Sequence, residues 1–254
     1  MGDPCMFEFH HQPDAFRLLV SAYHPDTLRE PSSGPASTQG DRLRHALTWN
    51  VFKTLEQIAP SIWMRPLVAR ATGLPDGYAS APHITAVTCW SILQPAPNAA
   101  LRRGRRRSVP VGVIVDTDDT VITFLMPSPT ELLDTVLSET AEGGLLDVAE
   151  ATAYLAGTRS AYVSVVLPIE VEEQVWRPRV ERRAEQVSRV LSASGRSSEN
   201  LRGMGATTWN ALHQLLSEIA HSPFISRAEH RCAMTAVNWM SERLTIEISR
   251  KRLA

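Results

Sequence analysis

Two β-branched runs, Val109–Val115 and Thr120–Met126, are separated by only four residues, and that pairing constrains the chain more than any other feature. Between them lie Asp116, Thr117, Asp118 and Asp119, whose side chains bond their own backbone and tolerate tight turns. The spacing predicts an antiparallel hairpin. Apolar residues occupy consecutive positions in both runs, which predicts strands covered on both faces. Such a pair needs helices above and below it.

The flanking sequence supplies them. Leu43, Leu47, Val51, Leu55 and Ile58 recur at the spacing of one helix face, broadened by Trp49 and Phe52, and the helix is expected to end near Pro60. A second helix over Ile62–Ala71 stops at Gly73, with Pro75 behind it. Ile84–Leu93 then alternates as a strand. Beyond the hairpin, Thr130–Glu142 and Leu145–Leu155 read as helices divided at Gly143-Gly144, and Ala161–Leu167 reads as a central strand. Glu170 onward is mostly charged helix, with Glu185 and Arg189 spaced to pair. Ser192–Gly205 reads as a Gly/Ser-rich break. After it, Trp209, Leu212, Leu215, Leu216 and Ile219 mark one helix and Ala233, Val237, Met240 and Leu244 another. Trp209 and Trp239 would give these two an apolar face for the core or for a second subunit.

The expectation is therefore an α/β protein with a mixed central sheet of about four strands, flanking helices and a C-terminal helical pair. It divides into an N-terminal segment and linker over 1–40, an α/β core over 41–190 and the helical pair over 206–254. The linker, Pro31 to Gly40, is rich in turn-forming residues.

Composition narrows the function classes. At 43% hydrophobic and 21% charged residues, the chain is globular in character and rules out wholesale disorder. No run reaches the roughly 20 apolar residues of a membrane-spanning helix, and the start of the chain lacks a signal-peptide pattern. A cytoplasmic protein with no membrane partner is expected. Net charge is −1, yet Arg102, Arg103, Arg105, Arg106 and Arg107 crowd into six positions, so any polyanion site would be local. Lysine occurs only at Lys53 and Lys251, which leaves few candidates for lysine chemistry. Cys5, Cys89 and Cys232 are scattered and odd in number, and are expected to be buried free thiols.

The order helix, strand, hairpin, helix, strand, helices resembles bacterial proteins of the PD-(D/E)XK nuclease superfamily, the restriction-endonuclease-like fold. His45-Ala-Leu-Thr-Trp-Asn-Val-Phe-Lys-Thr-Leu-Glu56 looks like its opening helix, and the likeness runs from about Asp41 to Leu167. The resemblance implies an aspartate on the first hairpin strand and an acidic-x-lysine triplet on the second, which hold Mg²⁺ and activate water. Here those positions fall near Gly112 and at Leu125-Met126-Pro127, where neither carboxylate nor lysine stands. Only Glu56 matches an auxiliary acidic position on the helix. The implied protein is a nuclease-like domain without catalytic residues, needing no cofactor, that binds nucleic acid or assembles with another protein. The arginines 102–107 are its expected contact, through bidentate bonds to phosphate, with Trp90 near enough to stack.

Two enzyme readings compete. One is an active nuclease with a displaced metal site. The other rests on Val113-Ile-Val-Asp-Thr-Asp-Asp-Thr-Val121, which resembles the first motif of haloacid-dehalogenase-like phosphatases. That likeness implies Asp116 as nucleophile and Asp118 as general acid/base on Mg²⁺. It also requires a later acidic pair, and no aspartate follows Asp147. Elsewhere, His10, His11, His24, His45 and His83 have no ligand spacing, Ser164 lacks a nucleophile elbow, and Gly203-Met-Gly205 lacks the rest of a phosphate loop.

Overall fold

The structure is a computed structural model that describes residues 39–74, 85–94, 109–127, 133–138, 144–169, 171–193 and 199–251. Its elements, in chain order, are α1 (Gln39–Glu56), α2 (Pro60–Thr72), β1 (Thr85–Leu93), β2 (Val109–Thr117), β3 (Thr120–Leu125), α3 (Leu133–Leu137), α4 (Leu145–Ala156), β4 (Ser160–Leu167), α5 (Glu173–Ala193), β5 (Leu201–Thr208), α6 (Trp209–Ala220) and α7 (Arg227–Lys251). The strands form one sheet in the order β1-β2-β3-β4-β5. The first three run antiparallel, while β4 lies parallel to β3 and β5 parallel to β4.

The expected hairpin forms as β2 and β3, paired from Val113↔Phe124 to Asp116↔Val121. Its turn is closed by Thr117, whose Oγ1 accepts the Thr120 N–H at 2.9 Å. A parallel neighbour cannot be reached by a tight turn, so the chain crosses over a helix each time, α4 before β4 and α5 before β5. Helix ends follow local chemistry. Pro60 opens α2, where its missing N–H is harmless, and Gly73 closes it at φ 74°, donating its N–H to Ala69 O at 2.8 Å. Thr208 caps α6 by accepting the Ala211 N–H at 3.1 Å.

Two cores result, one on each face of the sheet. The first lies under α1, α2, α6 and α7 and contains Leu47, Phe52, Trp63, Phe124, Tyr162, Leu216 and Met240. The second lies under α3, α4 and α5 and contains Val121, Leu145, Val148, Val163, Val165 and Val187. Trp209 and Trp239 both belong to the first core, so the C-terminal helices spend their apolar faces on the sheet rather than presenting them outward. Among the described residues, no helix is long and apolar enough to cross a membrane.

Three expectations need correction. The α/β fold with a mixed sheet of about four strands is as expected, but the end of the segment read as a Gly/Ser-rich break is strand, since β5 starts at Leu201 and makes a fifth. Close packing explains its composition. A Cβ on Gly205 would stand 2.8 Å from Thr72 Cα and 2.9 Å from Thr72 O, so α2 reaches the strand only because a glycine is there. Within the segment read as a helix over Thr130–Glu142, the described helix is the short α3. Cys89 is a buried free thiol as expected, but Cys232, also buried, is disulfide-bonded. Cys5 lies outside the described residues.

Candidate functional site

Side chains of a strand alternate between faces, and in β1 and β2 the alternation slips. Val87 and Cys89 belong to the first core but Leu93 to the second; Val113 and Val115 belong to the first but Val109 and Val111 to the second. A period of two cannot place all of these without a one-residue shift in each strand. The shift falls at Trp90 and Gly112. Pairing continues on either side of them, Cys89↔Val113 and Ser91↔Val111, while the two are not themselves paired. Trp90 sits at φ 52°, the one positive φ among the described non-glycine residues. A large side chain in that region costs about 1–3 kcal/mol, and such strain persists only where surrounding structure enforces it.

The slip opens a cleft of about 670 Å³ between α1, the ends of β1–β3 and α3, lined by Arg44, His45, Thr48, Trp90, Ser91, Ile92, Pro110, Val111, Gly112, Leu125, Met126, Pro127, Thr135 and Val136. Arg44 spans it, donating from Nη1 to Pro127 O at 3.2 Å. Trp90 is braced from two sides, stacked on Trp49 with centroids 5.9 Å apart and planes 6° apart, and met edge-on by His45 at 5.6 Å. Met126 lies across the mouth of Gly112, where a Cβ would come within 2.5 Å of its Cγ. Its sulfur is also 2.9 Å from Thr48 Oγ1.

The structure thus brings Gly112, Leu125 and Pro127 together on one cleft, at the end of the hairpin where the nuclease resemblance locates its metal ligands. Among the described residues, the lining contains no aspartate or glutamate, and its ionisable side chains are Arg44 and His45. Glu56 is not at this cleft. Its Oε1 accepts the Val87 N–H at 2.9 Å, its Oε2 pairs with Lys53 Nζ at 2.7 Å, and Lys53 Nζ donates to Val87 O at 2.7 Å. Together the two side chains satisfy both backbone groups of one residue on the edge strand, as a neighbouring strand would. The same surroundings act on Cys89, whose thiol is pushed up to about 12 by burial, with Lys53 pulling it down and Glu56 raising it.

Asp116 stands at the other end of β2, about 13 Å from Gly112 at the rise of an extended strand, and Asp118 lies beyond it in the turn. The strand is antiparallel to both neighbours and turns straight into β3, so no loop and helix follow the two acids. Asp116 is ion-paired with Arg159, which also donates to Thr117 O at 2.7 Å and Ala156 O at 3.1 Å. Asp118 is exposed. Among the described residues, no group of three His, Cys, Asp or Glu side chains is placed to hold a metal ion. Ser164 is fully buried within β4.

The arginines Arg102, Arg103, Arg105, Arg106 and Arg107 lie outside the described residues. The strands that flank them end at the cleft: Leu93 and Val109 are register partners, and Ile92 and Pro110 line it. Sequence reasoning found Trp90 and the Gly112/Leu125/Pro127 positions but missed Arg44 and Thr48. Their spacing of four on an amphipathic helix was the available signal, since it puts both on one face. Compared with family models, curated proteins and solved structures, the chain matches none.

Proposed function

We propose that this protein is a catalytically inactive nuclease-like module that binds nucleic acid at the cleft between α1 and the ends of β1–β3. The observation that carries the proposal is the lining of that cleft. Arginine, histidine, tryptophan and hydroxyl side chains replace the carboxylates that Mg²⁺ chemistry demands, so the site favours an anion over a cation. The order of elements supports the nuclease-like part: a helix, three antiparallel strands, a crossover helix and a parallel strand. Arginines 102–107 extend the same basic character along the chain, in the connection between the two strands that end at the cleft.

Fluorescence anisotropy of labelled oligonucleotides across a salt series, run beside a cleavage assay in Mg²⁺ and Mn²⁺, tests it. Binding should weaken steeply with salt and no product should form. Arg105→Ala/Arg106→Ala should weaken binding of all sequences alike and flatten the salt slope by about two, one for each lost phosphate contact. Metal-dependent cleavage, or binding indifferent to salt, would overturn the proposal.

A further inference from the structure

We infer that the cleft holds a single unpaired nucleobase with its phosphate, which makes the protein a reader of single-stranded or frayed nucleic acid rather than of intact duplex. The inference rests on the nucleic-acid-binding proposal above and specifies its ligand. Three observations support it. First, the strain sits where the aromatic surface is made. Trp90 is held in the left-handed region by a sheet that changes face at that residue, and it lines the cleft while packing against the edge of the first core. Backbone strain of this kind collects at ligand sites because it fixes a side chain that local propensity would place elsewhere. Second, the ring is already immobilised. Trp49 stacks on it and His45 meets it edge-on, so little further ordering accompanies the arrival of a planar ligand. Third, the charge is right for the rest of a nucleotide. Arg44 crosses the cleft and is anchored on Pro127, and Ser91 and Thr135 offer hydroxyls in a wall whose described residues include no carboxylate.

Geometry selects the unpaired form. The cleft is a recess of about 670 Å³ in which Trp90 lies among α1, the strand ends and α3, a size that suits a small planar ligand. A base within a duplex has both faces stacked on its neighbours and cannot be offered to an indole, whereas an unpaired base presents a free π-face. Stacking of this sort tolerates sequence, so the preference should be for strandedness and not for a base.

The test compares a labelled twelve-residue oligothymidylate with a blunt duplex of equal length, followed by anisotropy and by quenching of tryptophan fluorescence. The single strand should bind at least tenfold tighter and quench the emission. Trp90→Phe should keep most of the affinity, and Trp90→Ala should lose about 5- to 150-fold on the single strand and little on the duplex. Because Trp90 also packs against the first core, Ile92→Asp serves as a second variant. Ile92 lines the cleft at 59% exposure, so an aspartate there leaves the fold intact while opposing a phosphate, and single-strand affinity should fall at least tenfold. Equal binding of both strand forms, with Trp90→Ala and Ile92→Asp behaving as wild type, overturns the inference while leaving a salt-sensitive binding module in place. Absence of any nucleic-acid binding removes the inference and the parent proposal together.

Discussion

Glycine has two different meanings in this molecule, and substitution separates them. A Cβ on Gly112 would collide with Met126 Cγ and Sδ, which can swing away, and stand 2.9 Å from Met126 Cβ, which a small shift of β3's end must relieve. On Gly205 it would collide with the Thr72 and Ala71 backbone, which can move only if α2 moves. Gly112→Ala should therefore cost about 1–3 kcal/mol and be only partly relieved in combination with Met126→Ala, which keeps its Cβ, a coupling that a double-mutant cycle in urea would detect. Gly205→Ala should cost about 3 kcal/mol or more, with no rescue at position 126. Glu56 is likewise decided by its partners. Its removal in Glu56→Ala leaves the Val87 N–H and the Lys53 ammonium without their acceptor, and denaturation should show a loss of about 1–3 kcal/mol. Cys89, with its thiol raised to about 12, should stay unmodified by maleimide at pH 8 until the protein is unfolded.

The elements are held to one another by a few charged contacts, and one of them makes the docking of α7 sensitive to pH. Ser226 and Glu229 form a reciprocal cap at its start: Ser226 N–H donates to Glu229 Oε2 at 2.7 Å, and Glu229 N–H donates to Ser226 Oγ at 3.2 Å. Glu229 Oε1 also accepts the Ala59 N–H at 2.9 Å, tying α7 to the first residue before α2. Burial raises the pKa of Glu229, but the bonds from Ser226 and Ala59 outweigh it and hold the carboxyl below its ordinary value of 4.5. A lowered carboxyl pKa contributes stability above the unfolded value and loses it as pH falls through the folded one. Hydrogen-exchange protection factors at the start of α7, in which the intrinsic pH dependence of exchange is divided out, should thus fall below pH 4.5, and Glu229→Gln should remove most of that dependence. Protection factors unchanged with pH in the wild type would contradict this. The edges of the sheet are protected in the same manner, β1 by Lys53 and Glu56 and β5 by Arg177, which donates to Ala206 O at 2.8 Å.

On the scale of the whole molecule, the C-terminal helices share a core with α1, α2 and the sheet. Ala233, Ala236, Val237, Trp239, Met240 and Leu244 of α7 lie in the same cluster as Leu47 and Phe52 of α1 and Val113 of β2. Truncation before Arg227 should therefore abolish cooperative thermal unfolding of the remainder rather than release an intact smaller domain, as circular dichroism would show. A truncated chain that melted sharply near the wild-type temperature would contradict a shared core. The cleft depends on the whole assembly too, since its walls come from α1, three strands and α3.

The hairpin, the opening helix and the central strand β4 were readable because each rests on a pattern within a dozen or so residues: β-branched runs around a turn, one apolar helix face, and an unbroken apolar run. The absence of carboxylates at Gly112 and Leu125-Met126-Pro127 was equally readable, because it needs only the order of elements and the residues themselves. Tertiary structure alone decided β5, since the glycines that weaken it as an isolated strand are what let α2 approach it. It alone decided that Glu56 supports an edge strand, because the group it bonds lies 31 residues away. It also made the cleft, through a one-residue slip shared by β1 and β2 that no local propensity favours, at a tryptophan held in a backbone conformation its side chain opposes.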